Sequence, residues 1–385
     1  MKLEMTWGDS ARTLAADFGQ RAVAHDREGS FPHANFADLQ RAGLLALAAP
    51  RQWGGQQATV TELAEVIGAI GYGCPATALV LGMQYLQQRG MFRAGSFWPE
   101  HLARQLVQEA ANGVSLVNAL RVEPELGTPA RGGLPATVAR RTPQGWRLSG
   151  RKIYSTGAPI LRWYAVWART DDAEPLVGTF LVRADSPGVQ IETTWDHLGL
   201  RASGSHDVIL DGVPTPLDHA MGLAAPGAQA RDVNAQAEMT VLLGALYTGV
   251  ALAARDWLLD FLRERTPSGL GAPLATLPRV QEAVGRIEAL RRSNQRLLTG
   301  LAQELDQGAQ VPLAESGLLK TLVMRQAVEL VQEALALSSN HGLSRRNPLE
   351  RHLRDVLCGR IHTPQEDSAL VLAGRQALEQ GPRAG

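Results

Sequence analysis

Cysteine is nearly absent from this chain: Cys74 and Cys358 are the only two among 385 residues. Two thiols with no Cys-x-x-Cys pair exclude a disulfide scaffold and the common zinc and dithiol motifs, and they fit a reducing compartment. A charge surplus is missing as well. The 38 basic residues balance 38 acidic ones, which excludes the basic excess that nucleic-acid or anionic-membrane binding draws on. The start, MKLEMTWGDSARTL, has no apolar signal-peptide core. The uncharged run Met239–Ala254 has 16 residues, short of the ~20 that span a bilayer, and reads as a buried helix. No GxxxxGK[ST] loop and no GxSxG elbow occur, and none of the nine histidines are paired at i, i+4, so no metal site is expected. The expectation is a soluble, cytoplasmic protein with neither nucleic acid nor membrane as partner.

What is present is ordinary globular material, 45% hydrophobic and 20% charged, enough for two or three domains. The first hundred-odd residues follow helix rules. Thr59-x-x-Glu62 is a capping box, and Leu63, Val66, Ile67 and Ile70 repeat at helical spacing up to Gly71–Gly73 and Pro75. A second stripe, Leu79, Met83 and Leu86, runs on to Gly90. Pro99 stands where a helix starts and Asn112–Gly113 where it stops. From Val114 the period becomes two: Trp163, Ala165 and Trp167 alternate with Tyr164 and Val166, and short runs recur at 177–182, 189–193 and 207–210. Strands this close, with no helices between them, predict an antiparallel barrel or sandwich. Helical periodicity returns near Arg231, with stripes starting at Met239, Val280, Leu319 and Leu370, and predicts a four-helix bundle. The fold class is therefore α+β and multidomain: an N-terminal helical domain over 1–113, a middle β domain over 114–225, and a C-terminal helical bundle over 226–385.

One motif misleads. Gly71-Tyr-Gly73-Cys-Pro-Ala76 imitates a dinucleotide-binding fingerprint, yet it follows a helical stripe, Pro75 interrupts it, and no carboxylate stands about 20 residues on.

The α, β, α order and five local motifs resemble the acyl-CoA dehydrogenase superfamily over essentially the whole chain. The motifs are Leu39-x3-Gly43-Leu44 with Pro50-x3-Gly54-Gly55; Glu123-Pro124-x2-Gly127-Thr128; Gly150-Arg-Lys152-Ile-Tyr154-Ser-Thr156-Gly157; Leu198-Gly199-Leu-Arg201-x-Ser203-Gly204-Ser205; and Pro348-Leu-Glu350-Arg351-x2-Arg354-Asp355. The resemblance implies a flavin, FAD with FMN as the alternative, between the β domain and the bundle of a homo-oligomer, a tetramer. It places Tyr154, Ser155 and Thr156 on the flavin-facing strand, with Thr156 near flavin N5. Leu120 and Val122 fall where backbone groups meet the pyrimidine edge, and Thr128 stands for the Ser of a Gly-Ser-Asp turn. Arg265 aligns with an arginine that reaches a neighbouring subunit's FAD pyrophosphate. Ser339, Asn340 and Gly342 occupy the family's Gly-Gly-x-Gly turn with glycines replaced, and Gln365 and Asp367 follow the usual base position.

Dehydrogenating an acyl thioester needs a carboxylate to take the α-proton. At the family's usual position this chain has Thr363, preceded by His362. The nearest carboxylate, Glu366, also reads as the N3 partner of a Thr363 capping box. Glu238 neighbours the position some members use on the first bundle helix, and as a lone charge in an apolar helix it needs a partner. The segment Tyr154-Ser-Thr156-Gly157-Ala158 and the His362-Thr363 pair also resemble the flavin monooxygenases of this fold, which lack the base and take reduced flavin from a partner reductase. Gln84 stands where some of those carry a histidine. Three readings follow. One is dehydrogenation of an acyl-CoA or related carbonyl-activated substrate, with an electron-transfer protein as partner. The second is two-component monooxygenation of an aromatic or organosulfur compound, and the third a catalytically silent binding or scaffold relative. Glu238 and Glu366 carry the first, and Thr156 with His362 the second.

Overall fold

The computed structural model describes residues 6–126, 133–228 and 232–379. Five helices come first: α1 Trp7–Glu28, α2 His33–Arg41, α3 Val60–Gly73, α4 Pro75–Met91 and α5 Glu100–Asn112. Local chemistry sets their ends. Thr6 and Thr59 each close a capping box, with Asp9 and Glu62 respectively, satisfying amide groups that have no partner within the helix. The Gly71-Tyr-Gly73 pattern is a packing device: a Cβ at Gly73 would overlap the carbonyl of Ala15 on α1, and one at Gly71 would crowd Leu246. Glycine is required there by the close approach of backbones.

Eight strands follow: β1 Leu116–Leu120, β2 Val138–Thr142, β3 Gly145–Lys152, β4 Leu161–Thr170, β5 Val177–Arg183, β6 Val189–Glu192, β7 Asp207–Thr215 and β8 Ala220–Ala224. They form one sheet in the order β6-β7-β3-β2-β4-β5-β8, with β1 on β4. The pairing departs from an all-antiparallel expectation at one strand. Both β1 and β2 run parallel to β4, β1 along residues 161–166 and β2 at residues 169–170. Two short strands thus lie end to end along one edge of a ten-residue strand whose other edge pairs antiparallel with β5. Alternation reports which face a side chain takes and carries no information on a neighbour's direction. The β4 alternation itself separates two cores. Trp163 and Ala165 pack with Met91, Leu102 and Leu106 of the helices, while Tyr164, Val166 and Ala168 join the main core with Phe180 and Leu148.

The chain then returns to helices: α6 Val233–Glu264, α7 Pro278–Asp306, α8 Leu313–Ser338, α9 Asn340–Leu343, α10 Leu349–Leu357 and α11 Glu366–Glu379. The helix containing Met239–Ala254 is twice the length of that uncharged run, and its most apolar window has a mean hydropathy of 1.5, enough to cross a membrane by length and composition. It is a core helix: 83% of that window is buried inside the protein, against α3, α4, α7, α8 and α10.

A polar knot fastens the three regions together. Asp355 of α10 accepts from the Leu200 amide at 2.7 Å. Arg354 holds Asp26 of α1 through two hydrogen bonds of 2.9 and 2.6 Å and also donates to the Leu198 carbonyl. Gly199 lies so close to α10 that a Cβ there would overlap the Arg354 carbonyl. The Leu198–Ser205 segment, which leads into β7, is therefore positioned by helices from both ends of the chain.

Candidate functional site

After β3 ends at Lys152, the backbone turns sharply. Tyr154 has φ +55°, a left-handed conformation that costs a non-glycine residue roughly 1–3 kcal/mol, and the Thr156 amide donates to the Tyr154 carbonyl. The turn throws the Tyr154 ring outward, 53% exposed, where it meets Trp195 and His197 edge-on at centroid distances of 6.3 and 5.9 Å. Trp195 and His197 stack on each other at 3.7 Å, and the indole donates to the Leu200 carbonyl. These rings, with Pro124, Arg151, Ile153, Thr194, Ser205 and Asp207, line an open cleft of about 470 Å³.

Behind the aromatic shelf runs a chain of three hydroxyls. Ser203 Oγ and Ser205 Oγ are 2.8 Å apart, and Ser205 Oγ and Thr156 Oγ1 3.1 Å. Asn118 Nδ2 on β1 fixes the turn by donating to the Thr156 carbonyl, and Ser155 donates its amide to the His206 carbonyl. The Ser155 hydroxyl is buried with no hydrogen-bond partner. A buried hydroxyl without a partner costs on the order of 1–3 kcal/mol, so this turn has donor capacity beyond what the protein fold uses. Aromatic faces and hydroxyls are what a flat heteroaromatic ring such as a flavin requires, and the residues present fit that group. Helix α4 backs the turn at Val80, against which a Cβ at Gly157 would clash. Gln84 also has a structural job, accepting from the Val117 amide at 2.8 Å and donating to the Leu45 carbonyl.

Below the site a buried ion pair anchors the strand. Lys152, fully buried, donates to Glu123 Oε1 and to the Trp167 carbonyl, each at 2.5 Å. Glu123 also accepts from the Thr137 amide and hydroxyl and the Ala136 amide. Burial pulls the Lys152 ammonium down to about 8, with Glu123 opposing that shift.

The other sequence-predicted residues fall in several places. Leu120 ends β1, and the Val122 carbonyl accepts from the Ile153 amide, so both flank the turn. Thr128 lies outside the described residues. Arg265 caps the far end of α6 and is exposed. Ser339 ends α8 with φ +51°, and Asn340 and Gly342 form α9, where His341 packs on Phe261 of α6 at 5.0 Å. Among the described residues, no hydrogen bond or ring contact joins Arg265, Ser339, Asn340 or Gly342 to the Tyr154–Thr156 turn.

His362 hydrogen-bonds through Nε2 to the Tyr247 hydroxyl at 2.6 Å. Burial and the nearby Lys320 ammonium push the imidazole down to about 4, so it is neutral at pH 7. Lys320 donates to the carbonyls of His362 and Pro364. Gln365 immediately precedes α11, and Asp367 accepts from the Ser368 amide in its first turn.

The two candidate bases are both engaged. Glu238 is 4% exposed and fully paired: Arg89 donates twice to Oε1, at 3.1 and 2.7 Å, and Arg93 donates to Oε2. The capping-box expectation for Glu366 is corrected. Helix α11 begins at Glu366 itself, and its carboxylate pairs with Arg325 at 2.5 Å, which the Arg325 guanidinium reflects by holding the carboxyl below its usual range. Sequence reasoning had no signal for Trp195 and His197, because a Trp-x-His pair between short strands matches no motif.

Three profiles cover the chain in order: the acyl-CoA dehydrogenase N-terminal domain over residues 4–96, the middle domain over 121–213 and the C-terminal domain over 241–366. YdbM of Bacillus subtilis (strain 168), which its name gives as an acyl-CoA dehydrogenase, is 31% identical over 97% of each chain. The amino sugar nitrososynthase DnmZ of Streptomyces peucetius is 30% identical over 88% of this chain and 84% of its own. Among solved structures, KijD3 in complex with FMN and dTDP-3-amino-2,3,6-trideoxy-4-keto-3-methyl-D-glucose superposes with a TM-score of 0.82 at 26% identity, covering 99% of this chain and 98% of that one.

Proposed function

The chain belongs to the acyl-CoA dehydrogenase family of flavoenzymes, and from that premise we propose that it is a flavin-dependent monooxygenase supplied with reduced flavin by a separate reductase. Bound reduced flavin would supply two electrons to O2, one oxygen atom going to the substrate and the other leaving as water. One observation carries this choice over dehydrogenation: each candidate carboxylate is held by arginine, Glu238 by two and Glu366 by one. A carboxylate committed to a guanidinium is a weak base.

The protein's own groups have defined tasks in this reading. Tyr154, Trp195 and His197 form the aromatic wall against which the ring packs. Leu120 and Val122 offer strand backbone to the ring edge. Thr156 Oγ1 is the open end of the Ser203–Ser205–Thr156 hydroxyl chain and can give or take a hydrogen bond as charge shifts on the ring. The neutral His362–Tyr247 pair is proposed as an uncharged hydrogen-bonding group on the bundle side of the site. Arg265, Ser339, Asn340 and Gly342 are proposed to meet a flavin across a contact between copies of the chain. The substrate class favoured is a small molecule with a nucleophilic nitrogen or sulfur; the nitrogen case is supported by the names of the relatives at 30% and 26% identity.

A second reading, acyl-thioester dehydrogenation, is kept by the 40% exposure of the Glu366 side chain. A pair that open to solvent is worth only about 0–1 kcal/mol and releases its carboxylate easily. The two readings part in one experiment. On anaerobic mixing of the flavin-loaded protein with a panel of acyl-CoAs, the flavin is expected to stay oxidised. With reduced flavin, air and an amine or thioether panel, oxygenated product is expected. Bleaching by an acyl-CoA, lost in Glu366→Gln, would overturn the monooxygenase assignment.

A further inference from the structure

The ladder between β6 and β7 ends at the Glu192–Asp207 pair. One residue before Asp207, a side chain takes over from the sheet. His206 Nδ1 accepts from two consecutive backbone amides, Thr194 at 3.2 Å and Trp195 at 3.1 Å. A backbone amide can only donate, so Nδ1 carries its lone pair and the ring is neutral, with its proton on Nε2. Beside it the Asp207 amide donates to Thr194 Oγ1, and that hydroxyl donates to Asp207 Oδ1. The loop after β6 is thereby pinned at the residue that carries the Trp195 indole.

The backbone of the same stretch holds the other half of the site. Ser155 donates its amide to the His206 carbonyl at 3.1 Å, Gly157 to Ser203 at 3.0 Å and Ala158 to Gly204 at 3.1 Å. His206 therefore touches both halves, the turn through its carbonyl and the aromatic shelf through its ring. It is half-buried behind the shelf and is not one of the residues that line the cleft.

Charging the imidazole reverses this arrangement. A proton on Nδ1 makes it a donor, so three N–H groups converge and both amide bonds are lost. Burial favours the neutral ring and lowers it below its ordinary 6.5, with the Asp207 carboxylate opposing. The surrounding charges are paired: Arg151 holds Asp207 at 2.6 Å and Glu192 at 2.8 Å, and Arg201 holds Asp196. From α10, Asp355 takes the Leu200 amide and Arg354 the Leu198 carbonyl. Tyr154 and His197 are the titratable groups of the shelf itself, and burial lowers the His197 imidazole too.

We propose that His206 is the positioning residue of the cleft: its uncharged ring holds the Trp195–His197 shelf against the Tyr154 turn, and the site takes a flat ring only while Nδ1 is free to accept. The hold on the shelf stands on the hydrogen bonds alone; the consequence for ring binding rests on the flavin reading above.

The test is hydrogen–deuterium exchange of the full-length protein, read by mass spectrometry on the peptide that holds Thr194 and Trp195, from about pH 8 down to about pH 5. Flavin titrations with FMN and FAD run over the same range. After correction for intrinsic exchange, the two amides should stay protected above pH 6.5, the ring's ordinary value. Below the lowered value of the folded state, protection and flavin affinity should fall together, by about ten-fold per pH unit. In His206→Asn the amide oxygen stands near the Nδ1 position and does not titrate, so both quantities should be flat with pH. In His206→Leu both should be weakened at least about ten-fold at every pH. His197→Phe keeps a ring on Trp195 and should retain the pH dependence. Should His206→Leu fail to fold, the contrast between the parent and His206→Asn decides alone. Exchange that follows this pattern in a chain that takes up no flavin supports the positioning role and overturns only the flavin reading. A pH dependence that survives in His206→Asn or vanishes in His197→Phe, or protection unchanged in His206→Leu, would overturn the proposal.

Discussion

Replacing Lys152 with methionine is expected to lower the unfolding free energy by about 3–5 kcal/mol, the usual cost of removing one partner from a buried ion pair. The side chain has no exposure, and its ammonium serves two acceptors at once, Glu123 Oε1 and the Trp167 carbonyl. Methionine fills similar volume but offers no donor. Glu123, 2% exposed, would keep its charge with only the Thr137 and Ala136 donors to balance it, and the Trp167 carbonyl would lose its ammonium donor. The effect should spread to the site, because Lys152 is the last residue of β3 and Tyr154 follows two positions later. Urea unfolding followed by tryptophan fluorescence reads the loss. The double variant Glu123→Gln/Lys152→Met should recover part of it, since the stranded charge is then gone. A single-variant loss below about 1 kcal/mol would mean that the pair does not hold the strand.

The second large effect concerns turnover. Thr156→Val keeps the β-branched shape and removes the hydroxyl that ends the Ser203–Ser205–Thr156 chain. If that hydroxyl stabilises charge on a bound flavin, product formed from reduced flavin should fall about 100-fold, as when a single positioned donor is deleted from an active site. Flavin affinity should change by less than about three-fold, because the aromatic shelf is untouched. Rapid-mixing assays of product per reduced flavin, beside a flavin titration, separate the two quantities. Equal yield from the variant would remove Thr156 from the chemistry and leave it a structural hydroxyl.

Much of the fold was legible because its signals are local. A capping box at Thr59, proline at helix starts and the change of period near Val114 each depend on residues a few positions apart, and α3, α5 and β1 begin close to them. The parallel pairing of β1 and β2 with β4 was not legible, since the pleat of a strand is the same whichever way its neighbour runs. The pattern Gly71-Tyr-Gly73 was legible only as a negative; its reason is the approach of α1 and α6, which no local rule contains.

At the site the division is similar. The Tyr154–Thr156 segment was singled out by a motif, as a strand. The structure ends β3 at Lys152 and makes the segment a turn, with Tyr154 at φ +55°. Its serine partners at Ser203 and Ser205 were in another motif. Glu238 was expected to need a partner, but Arg89 and Arg93 lie some 150 residues earlier and become visible only when α4 packs on α6. Glu366 had a good local reading as a cap, which the Arg325 side chain on α8 overrode. Tertiary ion pairs compete with local capping and win where a guanidinium is already in place. Trp195 and His197 lie on the loop after β6 and meet Tyr154 after β3, a combination that only the folded chain assembles.

The most direct measurement is a flavin titration of the full-length protein beside Tyr154→Gly. Glycine adopts the left-handed φ of this position without strain, so the variant should fold while losing the ring that, with Trp195 and His197, forms the shelf. Loss of an aromatic contact with its buried area should raise the flavin Kd roughly 10–100-fold. The wild-type chain should take up FAD or FMN saturably, at one per chain, with a shifted visible spectrum. A wild-type protein that binds neither flavin in either redox state, or a Tyr154→Gly variant that binds as tightly as the parent, would contradict the placement of a flavin against this turn.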